Sequence, residues 1–183
     1  MKLPSHGFTL IELMVTIGVA AILAGIAVPA FRSFLLNDRD TGQVNSLIGS
    51  FSYARSEAVK RASANGITVC PSPDGLVCGG TLWSGGWIVT YVDPLNALKN
   101  QVLQAVPALG GTNTVTAVAG PATGITFLSS GLTSAPPPGL TIRICDARLA
   151  AFARQVEVLS TGRVAASQKA GFAVNGVTPL ACP

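Results

Sequence analysis

The chain has 183 residues, 49% of them hydrophobic and only 11% charged, with a net charge of +4 and a pI near 9.1. Part of the apolar excess sits in one N-terminal run, and the rest is long enough for one domain with a real core. The mild positive charge describes a solvated basic surface or, more sharply, a phosphate-binding one, and no acidic or basic run, low-complexity tail or internal repeat points to anything stronger.

Residues 1–7 form a leader, Met-Lys-Leu-Pro-Ser-His-Gly. Behind it, Leu13 to Phe31 carries no charged side chain over 19 residues. That length crosses a hydrocarbon core of ~30 Å as a helix. Glu12 stands just inside the start of the segment, and an ionisable group there is costly and implies a partner. An ordinary secretory signal is the competing reading, because Ala24-Gly25-Ile26-Ala27-Val28-Pro29-Ala30 imitates a signal-peptidase site. Against it, the small residue Gly7 precedes the apolar run, so cleavage there leaves the helix on the mature protein.

Phe8 to about Ala64 reads as one helix of roughly 85 Å, weakened at two places. Pro29 removes a backbone donor and predicts a kink. Asn37-Asp38-Arg39-Asp40-Thr41-Gly42 weakens it again by low propensity. Beyond, Val44, Leu47, Ile48, Phe51, Ala54, Ala58 and Ala62 recur every three or four residues and predict one buried stripe, with Arg55, Lys60 and Arg61 mostly off it. Asn65-Gly66 predicts the helix stop.

After Gly66 the period changes to two. Strands are expected at 67–70, 87–92, 102–106, 112–118, 124–128, 140–145, 152–159 and 163–166, with Asp93-Pro94 ending the second. Short strands between Gly/Pro turns argue for antiparallel sheets under the helix stripe, an α+β fold. The expected division is 1–7 leader, 8–31 transmembrane half-helix, 32–65 amphipathic half-helix and 66–183 β-rich domain. Trp83 and Trp87 suit core packing better than a ligand platform.

Four cysteines allow three disulfide pairings. Loop closure favours Cys70–Cys78, tying off a turn-rich segment, with Cys145–Cys182 pinning the C-terminus. Spacings of eight and 37 residues without a C-x₂-C pair argue against zinc. Enzyme chemistry finds no constellation. The single histidine, His6, lies in the leader, Asp74, Asp93, Asp146 and Glu157 are scattered, and there is no Gly-x-Ser-x-Gly, phosphate-binding loop or D-x-D-x-D-G calcium loop. No cofactor or metal is expected.

Gly7-Phe8-Thr9-Leu10-Ile11-Glu12-Leu13, with Pro29 behind it, resembles the class III signal of type IV prepilins and type II secretion pseudopilins. The resemblance continues in Ala54–Arg61, Val69-Cys70-Pro71-Ser72, Trp83–Val89, Gly124–Phe127 through Gly131 and Val156–Arg163, which are similar to the GspH/FimT group of minor pilins and pseudopilins. It implies a pilin-like fold and no enzymatic activity. It also implies cleavage between Gly7 and Phe8 and N-methylation of Phe8 by a prepilin peptidase. Glu12 would be the assembly residue, meeting the new amine of a neighbouring subunit. The implied partners are other major and minor pilins or pseudopilins, and inner-membrane lipid before assembly. The implied place is a single-pass inner-membrane precursor with a periplasmic domain, then a pilus or pseudopilus filament. Some FimT proteins bind DNA through a Gly-Arg-x-Arg motif. The matching positions here read Gly162-Arg163-Val164-Ala165 and lack the second arginine. A DNA surface would therefore rest on Arg163, Arg154 and Lys169 clustering, with no aromatic expected among them.

Overall fold

The computed structural model describes residues 7–62, 64–92 and 100–182. The chain falls into two compact units, Met1–Arg39 and Asp40–Pro183. The helix α1, Leu10–Arg61, runs without interruption through both. Neither Pro29 nor the 37–42 stretch breaks it. Proline lacks the donor for one i→i−4 bond, but the remaining ladder carries the helix past it. At Asp40 the expected weakness is compensated by tertiary bonds described below.

In the second unit the helix stripe is Val44, Leu47, Phe51, Ala54 and Ala58, all buried, with Ile48 partly so. The expected last member, Ala62, lies outside it. The helix ends at Arg61, four residues before the Asn65-Gly66 stop, with Ala62 itself in a left-handed conformation at φ 46°. Gly66 serves a different need. A Cβ there would stand 2.5 Å from the Phe127 carbonyl oxygen, so glycine is required for the strands to meet.

Eight strands follow: β1 Ile67–Pro71, β2 Trp87–Val92, β3 Asn100–Val106, β4 Thr114–Ala119, β5 Ile125–Phe127, β6 Leu140–Cys145, β7 Arg154–Val158 and β8 Val164–Ala166. They form two antiparallel four-stranded sheets, in the orders β3-β2-β1-β5 and β4-β6-β7-β8. The alternation in Leu140-Thr141-Ile142-Arg143-Ile144 puts Leu140, Ile142 and Ile144 inside. Phe152, expected to open β7, instead closes a short 3₁₀ turn, Leu149–Phe152. Asp93-Pro94 lies outside the described residues.

One apolar core joins the stripe to Val69, Trp87, Val89 and Phe127 of the first sheet and Val115, Ile142, Val156 and Val158 of the second. Both tryptophans are fully buried. Trp87 donates its indole N–H to Ser50 Oγ on α1 at 2.9 Å, and Trp83 donates to the Ala122 carbonyl at 3.1 Å. Phe51 of the helix sits 5.9 Å from the Trp83 ring and 6.4 Å from Phe127. These tilted pairs add to simple burial. The disulfides join Cys70 to Cys78 and Cys145 to Cys182. The second closes a satellite cluster with Ala153, Ala173 and Leu180, and Arg143 Nη1 donates to the Ala181 carbonyl beside it.

Leu47 is fully buried and Leu23 is 62% exposed. Leu47→Ala should therefore lower the unfolding free energy by about 2–5 kcal/mol, read as a lower urea midpoint in the fluorescence of Trp83 and Trp87. Leu23→Ala should shift it by no more than about 0.5 kcal/mol.

Candidate functional site

Thr9 is the residue before the first turn of α1, and Glu12 is the third residue inside it. Glu12 Oε2 accepts from the Thr9 backbone N–H and the Thr9 hydroxyl, both at 2.9 Å, and the Glu12 N–H donates back to Thr9 Oγ1 at 3.3 Å. This reciprocal pair is a capping box, which satisfies donors that a helix start leaves orphaned. A carboxylate here also faces the positive end of the helix dipole. Thr9 was not among the expected site residues, although Thr9-Leu10-Ile11-Glu12 carries the T-x-x-E spacing that announces such a box.

Gly7 and Phe8 are exposed. So is every large apolar side chain of α1 from Leu10 to Leu35. Among the described residues α1 is the one helix long and apolar enough to cross a membrane. Side chains apolar on all sides mark a segment meant for lipid or for other helices.

The charged residues of the second unit form separate groups. At the start of that unit, Asp40, Gln43, Asn113, Asp146 and Arg148 make a buried polar cluster. Asn113 Nδ2 donates to Asp40 Oδ1 at 2.7 Å and to Gln43 Oε1 at 2.9 Å. Arg148 Nη2 bridges Asp40 Oδ2 at 3.1 Å and Asp146 Oδ2 at 2.6 Å, and its guanidinium lies 3.9 Å from the Phe152 ring centroid. Burial first, and then the Asp146 carboxylate beside it, push the Asp40 carboxyl above its ordinary value, while Asn113 and Arg148 pull the other way. In the sequence Asp146 is one of several scattered acids. The partners of Asp40 lie 73 and 108 residues away, beyond any local signal.

The expected single patch of Arg163, Arg154 and Lys169 is split in two. Arg154 opens β7 and donates to the Gln168 carbonyl at 3.5 Å, and Lys169 lies close by in sequence. Arg163 lies past the other end of the β7–β8 ladder, which pairs Val158 with Val164. Four residues of strand separate the two ends, about 13 Å. An aromatic does accompany Lys169, whose ammonium sits 4.0 Å from the centroid of Phe172. Arg163 instead shares an open cleft with Arg55 of the helix. Nearby, Glu57 is buried between Arg61 at 2.7 Å and Lys60 at 3.4 Å, and the Arg61 hydrogen bond first, then Lys60, holds its carboxyl below the ordinary value.

Comparison with known proteins places these features. A family model described as "Type II transport protein GspH" matches residues 43–162, roughly two thirds of the chain. A second, "Prokaryotic N-terminal methylation motif", matches residues 3–28. "Prepilin peptidase-dependent protein D" of Escherichia coli (strain K12) is 62% identical over 30 residues, 16% of this chain and 20% of that protein. The chain thus spans about a fifth of the length of that curated relative. The fold is similar to crystal structures of the type IV minor pilin FimU of Pseudomonas aeruginosa (strain PAO1). One has a TM-score of 0.57 at 20% identity, over 77% of this chain and 98% of that one. A second crystal form gives 0.53 at 22% identity, over 73% and 98%.

The Asp40 cluster yields a prediction with a definite sign. A carboxyl raised on folding adds stability at low pH that is lost as pH rises above the ordinary value of 3.8 and through the raised one. Asp40→Asn removes that titration. Its stability relative to the unsubstituted chain should therefore improve as pH rises above 3.8 and through the raised value, followed by urea midpoints. Arg148→Met strands two buried carboxylates and should cost about 3–5 kcal/mol at neutral pH.

Proposed function

Because the chain belongs to the GspH family of type II transport proteins, we propose that it is a structural subunit of a type IV pilus or a type II secretion pseudopilus. A prepilin peptidase cuts the precursor after Gly7 and methylates the new Phe8 amine. The inner membrane holds α1 by its apolar half, with the globular domain on the periplasmic side. Other pilins or pseudopilins then take the helix out of lipid and into a filament.

The observation that carries this reading is the carboxylate of Glu12 at the head of a helix whose apolar side chains are uncovered. Buried in lipid, such a group needs donors. Thr9 supplies them within the chain. Cleavage adds a charged amine on Phe8, four residues before Glu12. The Phe8 amine of an adjacent subunit can bind the same carboxylate and fix the axial register between helices. The glycine before the cut carries no side chain that could obstruct a peptidase at the scissile bond. The methylation-motif match over residues 3–28 supports the processing step. The name of the Escherichia coli relative, a prepilin peptidase-dependent protein, supports it as well.

Two substitutions separate processing from assembly. Glu12→Ala should be trimmed normally, with the leader of seven residues gone by mass, yet be lost from the sheared filament fraction by about tenfold or more. An energetic difference of ~1.4 kcal/mol suffices for that loss. Gly7→Glu should retain the leader. Normal incorporation of the Glu12 variant would sink the assembly role, and an N-terminus near Phe31 would show an ordinary signal peptide instead.

A further inference from the structure

The cleft that holds Arg163 is formed by three segments of the second unit. The helix contributes Arg55, Ser56 and Val59, the turn after β5 contributes Ser130, and the β7–β8 turn contributes Arg163 and Val164. Its volume is about 660 Å³, within the range of ligand-binding clefts.

Arg55 is held in place by the backbone. Its Nε donates to the Gly131 carbonyl at 3.2 Å. Gly131 and Gly162 touch each other, and both adopt positive φ, 78° and 76°. A Cβ on Gly162 would collide with the Gly131 carbonyl oxygen and stand 3.2 Å from Arg55 Nε. The absence of side chains at these two positions lets the guanidinium lie against both turns. Anchoring through Nε leaves the two terminal nitrogens of Arg55 for a ligand, in the fork geometry that matches a carboxylate or phosphate. Among the described residues, neither Arg55 nor Arg163 forms an ion pair with a carboxylate. The nearest acid along the helix, Glu57, is already shared by Lys60 and Arg61.

Two guanidinium groups, the Lys60 ammonium, three serine hydroxyls and the methyl groups of Val59 and Val164 describe a particular ligand. They fit an anion joined to an apolar body. A nucleic acid strand is a poorer fit. The lining carries no aromatic ring on which a base could stack, and two arginines with Lys60, itself already paired to Glu57, neutralise too few phosphates to hold a strand at physiological salt. We propose that this cleft docks a carboxylate-bearing segment of another polypeptide. Its charge complements an acidic side chain, and its valines cover the neighbouring apolar residue. The origin of that segment in an adjacent filament subunit rests on the function proposed above, but the binding itself does not.

The test uses the full chain in neutral detergent micelles and a rhodamine-labelled pentapeptide bearing two glutamates flanking a leucine. Fluorescence anisotropy should give a Kd below about 1 mM, and the glutamine counterpart should bind at least ~10-fold more weakly, the loss of one charge-assisted contact. Arg163 is exposed and bonds the fold only through its backbone, whose carbonyl accepts from the Leu159 N–H at 2.9 Å, so Arg163→Ala should weaken the glutamate peptide by about 10-fold. Arg154→Ala, at the far end of the ladder, should leave it unchanged. Equal binding of the two peptides, or no effect of Arg163→Ala, would overturn the proposal. So would oligothymidylate binding more tightly than the peptide in an Arg163-dependent manner, which would assign the cleft to nucleic acid. Failure of peptide binding with normal filament incorporation would remove this inference and leave the structural role standing.

Discussion

One helix here has to satisfy two different solvents. Up to Leu35 the large apolar side chains of α1 are uncovered on all sides, whereas from Val44 to Ala58 they form a single stripe locked into a protein core. No single environment suits both patterns. Water penalises the first, and lipid would leave the polar flank of the second unsolvated. The stripe is the part the domain depends on. Phe51 contacts both Trp83 and Phe127, and Ser50 receives the buried indole of Trp87, so the two sheets share one core through the helix. Without that face neither four-stranded sheet has a cover for Val69, Val89, Ile142 and Val156.

Polar groups fix where this packing happens. The Asp40–Asn113–Arg148 cluster sits at the first residue of the globular unit. A purely apolar stripe tolerates sliding by a turn, because Val, Leu and Ala at three- and four-residue spacing present similar surfaces. A buried carboxylate that must find an amide and a guanidinium tolerates none. The cost of burying two acids around one arginine is thereby tied to a definite helix position.

Much of this was legible in the residues. Trp87–Val92 and Leu140–Cys145 are strands over the expected bounds, because each is a β-branched or alternating run entered through a glycine, Gly86 or Gly139. The N-terminal segment was legible because charge is absent from Leu13 to Phe31 and Glu12 interrupts the pattern at one point. The misreadings share a cause, which is tertiary contact over long separations. Low propensity at 37–42 predicted a weakness that Asp40 repairs through residues 113 and 148. Gly66 suggested a helix stop, but the carbonyl of Phe127 is what forbids a side chain there. The basic residues Arg154, Arg163 and Lys169 were expected to cluster, whereas the β7–β8 register sends Arg163 to Arg55 and leaves Arg154 near Lys169. Thr9 is a different case, since its signal was local and sufficient.

The capping box bears on what kind of event filament growth would be. Glu12 already has two donors from Thr9 before any neighbour arrives. Handing its oxygens to another subunit's amine is then an exchange of partners, with the Thr9 donors left to be satisfied in turn. An exchange yields little net free energy. The cohesion of such a filament would reside in the apolar flanks of α1, and the acid would act as a proofreader. A subunit seated one turn out of register would keep its own Thr9 bonds but strand the neighbour's charged amine among apolar side chains, and would leave again.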